Sequence, residues 1–85
     1  MNTYLGEKGL NETWQEPFKK TIKCHKCGGV ARIMFVACEN ERGGKFVCDL
    51  HDNMKDKKYW VHDAMACAVY LCEDCFEPNA VINQA

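Results

Sequence analysis

The feature that most constrains this chain is a set of paired soft ligands. Cys24-His25-Lys26-Cys27, Cys48-Asp49-Leu50-His51 and Cys72-Glu73-Asp74-Cys75 each separate two ligands by two residues, a spacing that lets one tight turn present both to a single ion. With 85 residues the chain makes one domain and buries a modest share of its surface, so a cross-link has to supply stability that a small core cannot. Disulfides or a metal can do this, and the compartment decides between them. Residues 1–20 scatter Glu7, Lys8, Glu12 and Glu16 among Leu5, Leu10 and Trp14, with no apolar run of signal-peptide length and no small-residue cleavage site. No apolar stretch approaches the roughly 20 residues that a membrane span needs. The expectation is a soluble, cytoplasmic protein with reduced thiols. Seven cysteines cannot all pair within one chain, whereas metal ligands plus one or two buried free thiols raise no difficulty.

Composition along the chain divides it into an N-terminal arm over residues 1–22, a metal-bearing domain over 23–77 and a C-terminal tail over 78–85. In the arm, Gly6, Gly9 and Pro17 interrupt any long helix, while Tyr4, Leu5, Leu10, Trp14 and Phe18 are expected to pack over one face of a small sheet. Val30–Cys38 (VARIMFVAC) is β-branched and aromatic and reads as a strand. The polar, glycine-ended connector Glu39-Asn40-Glu41-Arg42-Gly43-Gly44 and the run Lys45 to Leu50 after it complete a hairpin signature. Residues 63–71 suit either a helix capped by Asp63 or a strand; Val69-Tyr70-Leu71 entering a cysteine pair favours the strand. At Glu77-Pro78 a short helical turn is expected.

Cys24 to Cys27 is the strongest local signal. Gly28-Gly29 behind it permits backbone conformations with φ > 0, which aim amides at sulfur. The same glycines start a helix badly, which speaks against a thioredoxin-like redox pair. Cys48 and His51 end the second hairpin strand, and an antiparallel return carries them toward Cys24 and Cys27. Twenty residues separate Cys27 from Cys48, the upper edge of the interval for paired zinc turns.

From Cys24 to His51 the chain resembles the zinc ribbon class of small metal-binding proteins, in which two Cys-rich turns clamp one zinc. The resemblance implies a small metal-stabilised β-rich domain, a three-stranded antiparallel sheet with room for one short helix. Cys72 and Cys75 compete for the same place, since a strand over 66–72 lying antiparallel to Val30–Cys38 also delivers its cysteines there. Three ligand sets stay open: Cys24, Cys27, Cys72 and Cys75; Cys24, Cys27, Cys48 and His51; or two ions drawing also on Cys38, His62 or Cys67. Cys38 and Cys67 lie inside apolar runs and read as small buried hydrophobes, and His25 as a solvent-facing residue. Sulfur-rich tetrahedral sites suit zinc or a rubredoxin-type iron; zinc is preferred because no glycine follows Cys75.

Net charge is −1, but residues 1–38 carry six basic and three acidic groups while 39–85 carry five basic and nine acidic ones. Neither half has the strongly basic footprint of a nucleic-acid domain. The acidic groups Asp49, Asp52, Asp56, Glu73, Asp74 and Glu77 suit a basic protein surface, so a protein-interaction module or adaptor is the leading expectation. Lys19, Lys20, Lys23, Lys26 and Arg32 gather near the first turn, close to Trp14 and Phe18, which keeps a nucleic-acid-binding regulator as the alternative. Catalysis is not expected. His62 stands only ten residues before Cys72 without the H-x-E of the zinc deaminases, and neither a phosphate loop nor a small-molecule pocket is evident. A rubredoxin-like or thiol redox protein is the third class, marked by iron colour or a reversible thiol change.

Overall fold

Alternation of large and small side chains with a period of two builds a sheet here. A computed structural model describes residues 1–39, Val47 and 64–84. Five strands, β1 (Asn2–Leu5), β2 (Thr21–Lys23), β3 (Val30–Cys38), β4 (Met65–Cys72) and β5 (Pro78–Gln84), form one antiparallel sheet. A 3-10 turn, Gly6–Gly9, follows β1, and the described residues contain no α-helix. β3 is the central strand. β1 and β2 lie end to end along one of its edges, opposite Phe35 to Cys38 and Val30 to Arg32 respectively. β4 takes the other edge and β5 lies beyond it.

The β-rich antiparallel domain expected from the sequence is therefore present, with five strands where three were expected. The additional ones come from the arm and the tail. β5 replaces the helical turn expected at Glu77-Pro78, because Asn79, Val81 and Asn83 sit opposite Tyr70, Ala68 and Ala66 on β4 and extend its inner face. Within the open choice over residues 63–71, the described part from Met65 onward is strand; Asp63, the expected helix cap, lies outside the described residues. The hairpin partner expected over residues 45–50 lies outside the described residues; the observed neighbour of β3 is β1, β2 or β4.

Register explains the burial pattern. Along β4 the inner residues Ala66, Ala68, Tyr70 and Cys72 are all buried, and their partners on β3 are Cys38, Val36, Ile33 and Ala31. Those partners change from odd to even numbers because Met34 is an extra residue between the Ile33 and Phe35 pairings. This β-bulge rescues the inward face of a strand whose apolar residues would otherwise lose phase halfway along.

Among the described residues the core comprises Phe18, Cys24, Ala31, Val36, Cys38, Ala66, Ala68, Tyr70 and Cys72, in which alanines and cysteines outnumber the large side chains. Tyr70 is its keystone: 1% exposed, it donates its hydroxyl hydrogen bond to the Lys19 carbonyl at 2.7 Å and so ties the arm to the sheet. Phe18 is buried as expected of the arm. Trp14, expected to cover the sheet, is instead 84% exposed. It falls in an irregular stretch between the 3-10 turn and Phe18, and Phe18 and Leu10 make the contact with the core.

Gly9 marks the closest approach of arm and sheet. A Cβ there would stand 2.7 Å from the Tyr4 Cβ and 2.8 Å from the Val36 Cβ. Gly9→Ala should therefore destabilise the fold by about 1–3 kcal/mol through overpacking, measured as a lower denaturant midpoint. Tyr70→Phe, which removes only the hydroxyl, should cost about 1 kcal/mol; an unchanged midpoint would show that the Lys19 contact does not hold the arm.

Candidate metal centre

Two hairpins stand side by side, and each loop holds a Cys-x-x-Cys pair. The first hairpin, β2 to β3, closes at the Lys23–Val30 pair. The second, β4 to β5, closes at the Leu71–Pro78 pair. Because Ala31 lies opposite Cys72, both loops emerge at the same end of the sheet, and the Glu73 N–H donates to the Val30 carbonyl at 2.9 Å to bind one loop to the other.

The two turns share one hydrogen-bond plan. Gly28 N–H donates to the Cys24 carbonyl (3.0 Å) and Cys24 N–H to the Gly29 carbonyl (2.8 Å); Phe76 N–H donates to the Cys72 carbonyl (3.1 Å) and Cys72 N–H to the Glu77 carbonyl (3.1 Å). Amides also point at sulfur: Lys26 N–H at Cys24 and Gly29 N–H at Cys27, each at 3.4 Å, and Asp74 N–H at Cys72, also at 3.4 Å. Such N–H to sulfur bonds hold the side chains of metal-binding turns in place and temper the thiolate charge. Both turns need a left-handed residue after the second cysteine. Gly28 (φ 78°) meets this without strain, whereas Phe76 adopts φ 59° despite its side chain. The missing glycine after Cys75, taken from the sequence as a reason to prefer zinc to iron, thus leaves the shape of the turn unchanged and does not separate the two metals.

The result is a cluster of four sulfurs. Cys24, Cys27, Cys72 and Cys75 place their Sγ atoms within 4.8 Å of one another, with Cys24 to Cys75 at 3.7 Å and Cys27 to Cys72 at 3.5 Å. A tetrahedral ion with metal–sulfur bonds of about 2.3 Å requires sulfurs about 3.8 Å apart, so the donor set fits one ion in both number and spacing. Cys24 and Cys72 are buried, Cys75 is half-buried and Cys27 is exposed.

Without a cation these thiols cannot all ionise, and their acidities split accordingly. The Cys27 N–H bond, joined by Lys26 N–H and the Asn79 amide, outweighs burial and lowers Cys24 to about 6. Cys72 is also lowered, chiefly by the Cys75 N–H. At Cys75 the Glu77 N–H acts downward, but burial and the Cys27, Cys72 and Cys24 sulfurs together push the thiol up to about 12. Cys27 is raised as well: the Gly29 N–H opposes this, and the Cys72 sulfur, burial and Cys24 prevail.

Of the ligand sets left open by the sequence, the structure brings together Cys24, Cys27, Cys72 and Cys75. Cys48, His51 and His62 lie outside the described residues. Cys38 and Cys67 stand apart from the cluster on β3 and β4; Cys38 is 3% exposed, and burial raises both thiols, as suits inert apolar residues. His25 is exposed. Sequence reasoning missed Asn79, which is 3% exposed and reaches the first turn from β5. No local pattern signalled it, since Asn83 shares the same alternation with Asn79 and Val81.

No protein-family model, no curated protein and no solved structure matches this chain. Phe76→Gly should stabilise the protein by about 1 kcal/mol by relieving the left-handed strain, read as a higher denaturant midpoint; a lower one would mean that the phenyl ring contributes packing that outweighs the strain.

Proposed function

We propose that this chain is a cytoplasmic zinc-binding protein of the zinc-ribbon type, in which one structural Zn2+ holds two hairpins together and the surface serves as a protein-interaction module or adaptor. The observation that carries the metal reading is the closed set of four sulfurs at the junction of the hairpins. Four protein ligands fill a tetrahedral ion, leaving no position for substrate, which is the arrangement of a structural rather than a catalytic zinc. Zinc is preferred to iron because the described core, built largely of alanine and cysteine, calls for a permanent cross-link, and zinc provides one without redox chemistry. No helix among the described residues is long and apolar enough to cross a membrane.

A protein partner is favoured over nucleic acid by the fate of three of the five basic residues near the first turn. Lys20 pairs with Glu7 at 3.2 Å, Lys26 with Glu77 at 3.7 Å, and Arg32 with Glu73. Phosphates would have to displace these carboxylates, each supplied by the chain itself. Large apolar side chains meanwhile face solvent: Trp14, and Phe76 at 70% exposure directly after a ligand cysteine. Neither packing nor backbone preference calls for phenylalanine at that place, and recognition of a partner gives it a purpose.

Native mass spectrometry with elemental analysis should find one zinc per chain, and stripping it with a chelator should unfold the domain, since structural zinc in comparable peptides contributes roughly 10–16 kcal/mol. Cys24→Ser or Cys72→Ser should abolish metal retention while Cys48→Ser leaves it intact. Iron with visible colour would put electron transfer first, and two zincs would bring Cys48 and His51 into the ligand set. The protein reading further expects no binding of labelled DNA or RNA at low ionic strength; affinity that falls with added salt would favour the nucleic-acid alternative.

A further inference from the structure

The two cysteine turns correspond bond for bond until a side chain from β5 enters. Asn79 lies on the inner face of β5 opposite Tyr70 and is 3% exposed. Its Oδ1 accepts from the His25 N–H at 2.8 Å. Its Nδ2 donates to the Glu77 carbonyl at 2.9 Å and to the Cys24 Sγ at 3.6 Å. The orientation of the carboxamide is fixed by its partners: a backbone N–H only donates and a carbonyl only accepts, so the flipped amide would set like against like at both. Among the described residues, Cys24 is the one cluster sulfur that receives a side-chain amide.

This placement links parts of the chain that the turns alone do not. β5 directly follows the Cys72–Cys75 turn, yet Asn79 grips the other turn, 54 residues away in sequence. The first turn is thus held from both sides, by its own hairpin and by a strand of the neighbouring one. A carboxamide in this position accepts from a turn N–H and at the same time donates a hydrogen bond to the Cys24 sulfur.

Resting on the metal reading given above, we propose that Asn79 is the positioning residue of the metal centre: it locks the Cys24 turn to β5, so that retention of the ion depends on the pairing of β5 with β4. The Cys24 turn belongs to the β2–β3 hairpin, so its own dependence on β5 enters through this side chain.

The test uses the full chain loaded with Zn2+ and, separately, with Co2+. Asn79→Asp keeps an acceptor for His25 but replaces the N–H at sulfur with oxygen, and Asn79→Leu removes all three bonds. Both variants should bind metal about 10–100-fold more weakly in competition with a chelator, and the sulfur-to-cobalt charge-transfer band should shift, a change that mere loosening of the sheet does not produce. Asn83→Ala, on the same face of the same strand but bonded to the Glu16 carbonyl, should do neither. Wild-type affinity and an unshifted band in both Asn79 variants would overturn the proposal while leaving the metal reading intact. A wild-type chain that takes up no metal would overturn that reading, and this one with it. Should the variants fail to fold, the wild-type chain loaded with 113Cd supplies the answer. An Asn79 side-chain amide that exchanges slowly and couples to cadmium supports the proposal, and one exchanging at the rate of a free amide with no coupling overturns it.

Discussion

Because β3 and β4 run antiparallel with Ala31 opposite Cys72, two loops far apart in sequence are delivered to one end of the sheet, and everything at the cysteine cluster follows from that register. A slip by a single residue would turn Cys72 to the outer face of β4 along with Ala66, Ala68 and Tyr70. The bulge at Met34 protects against this. It lets β3 keep Val36 and Cys38 on the inner face at one end while Ala31 stays inward at the other, so neither half of the strand gains by shifting.

The inner face that this register assembles is thin. Cys24, Cys38 and Cys72 do the work of small hydrophobes in a core whose largest fully buried side chains are Tyr70, Val36 and Cys72. Two of those three cysteines also belong to the sulfur cluster. Packing and coordination therefore share atoms, and the same side chains that close the end of the core define the cavity between the turns. The surface ion pairs add little to this: Lys20–Glu7, Lys26–Glu77 and Arg32–Glu73 all join exposed groups, where solvent screening leaves such pairs worth at most about 1 kcal/mol.

What the sequence made legible was whatever a local pattern could carry. β3 announced itself by nine residues that include four β-branched or aromatic side chains, Val30, Ile33, Phe35 and Val36, and the Cys24 turn by its glycine. β4 was harder, since alanine suits helix and strand alike, and only Val69-Tyr70-Leu71 tipped the balance. β1 and β5 escaped notice for a physical reason. Asn2–Leu5 is too short to show a period, and Pro78–Gln84 mixes asparagine with small apolar residues; each becomes a strand because a ready-made edge of β3 or β4 is there to pair with it. That Cys72 and Cys75 meet Cys24 and Cys27 likewise rested on tertiary register, which spacing along the chain does not encode. Trp14 shows the opposite error, in which a large aromatic was assumed to seek cover.

The cluster joins Cys27 to Cys72 across 45 residues, and this separation has a kinetic side. Contacts so distant in sequence cannot reward the chain until the intervening segment has been gathered in, and its closure entropy must be overcome first. That entropy rises only with the logarithm of loop length: doubling the span between the turns adds about 0.6 kcal/mol. An ion caught early by the Cys24 turn would act as a tether awaiting the second pair. The entropic cost of bringing the two halves of the centre together therefore depends only weakly on the length of chain between them.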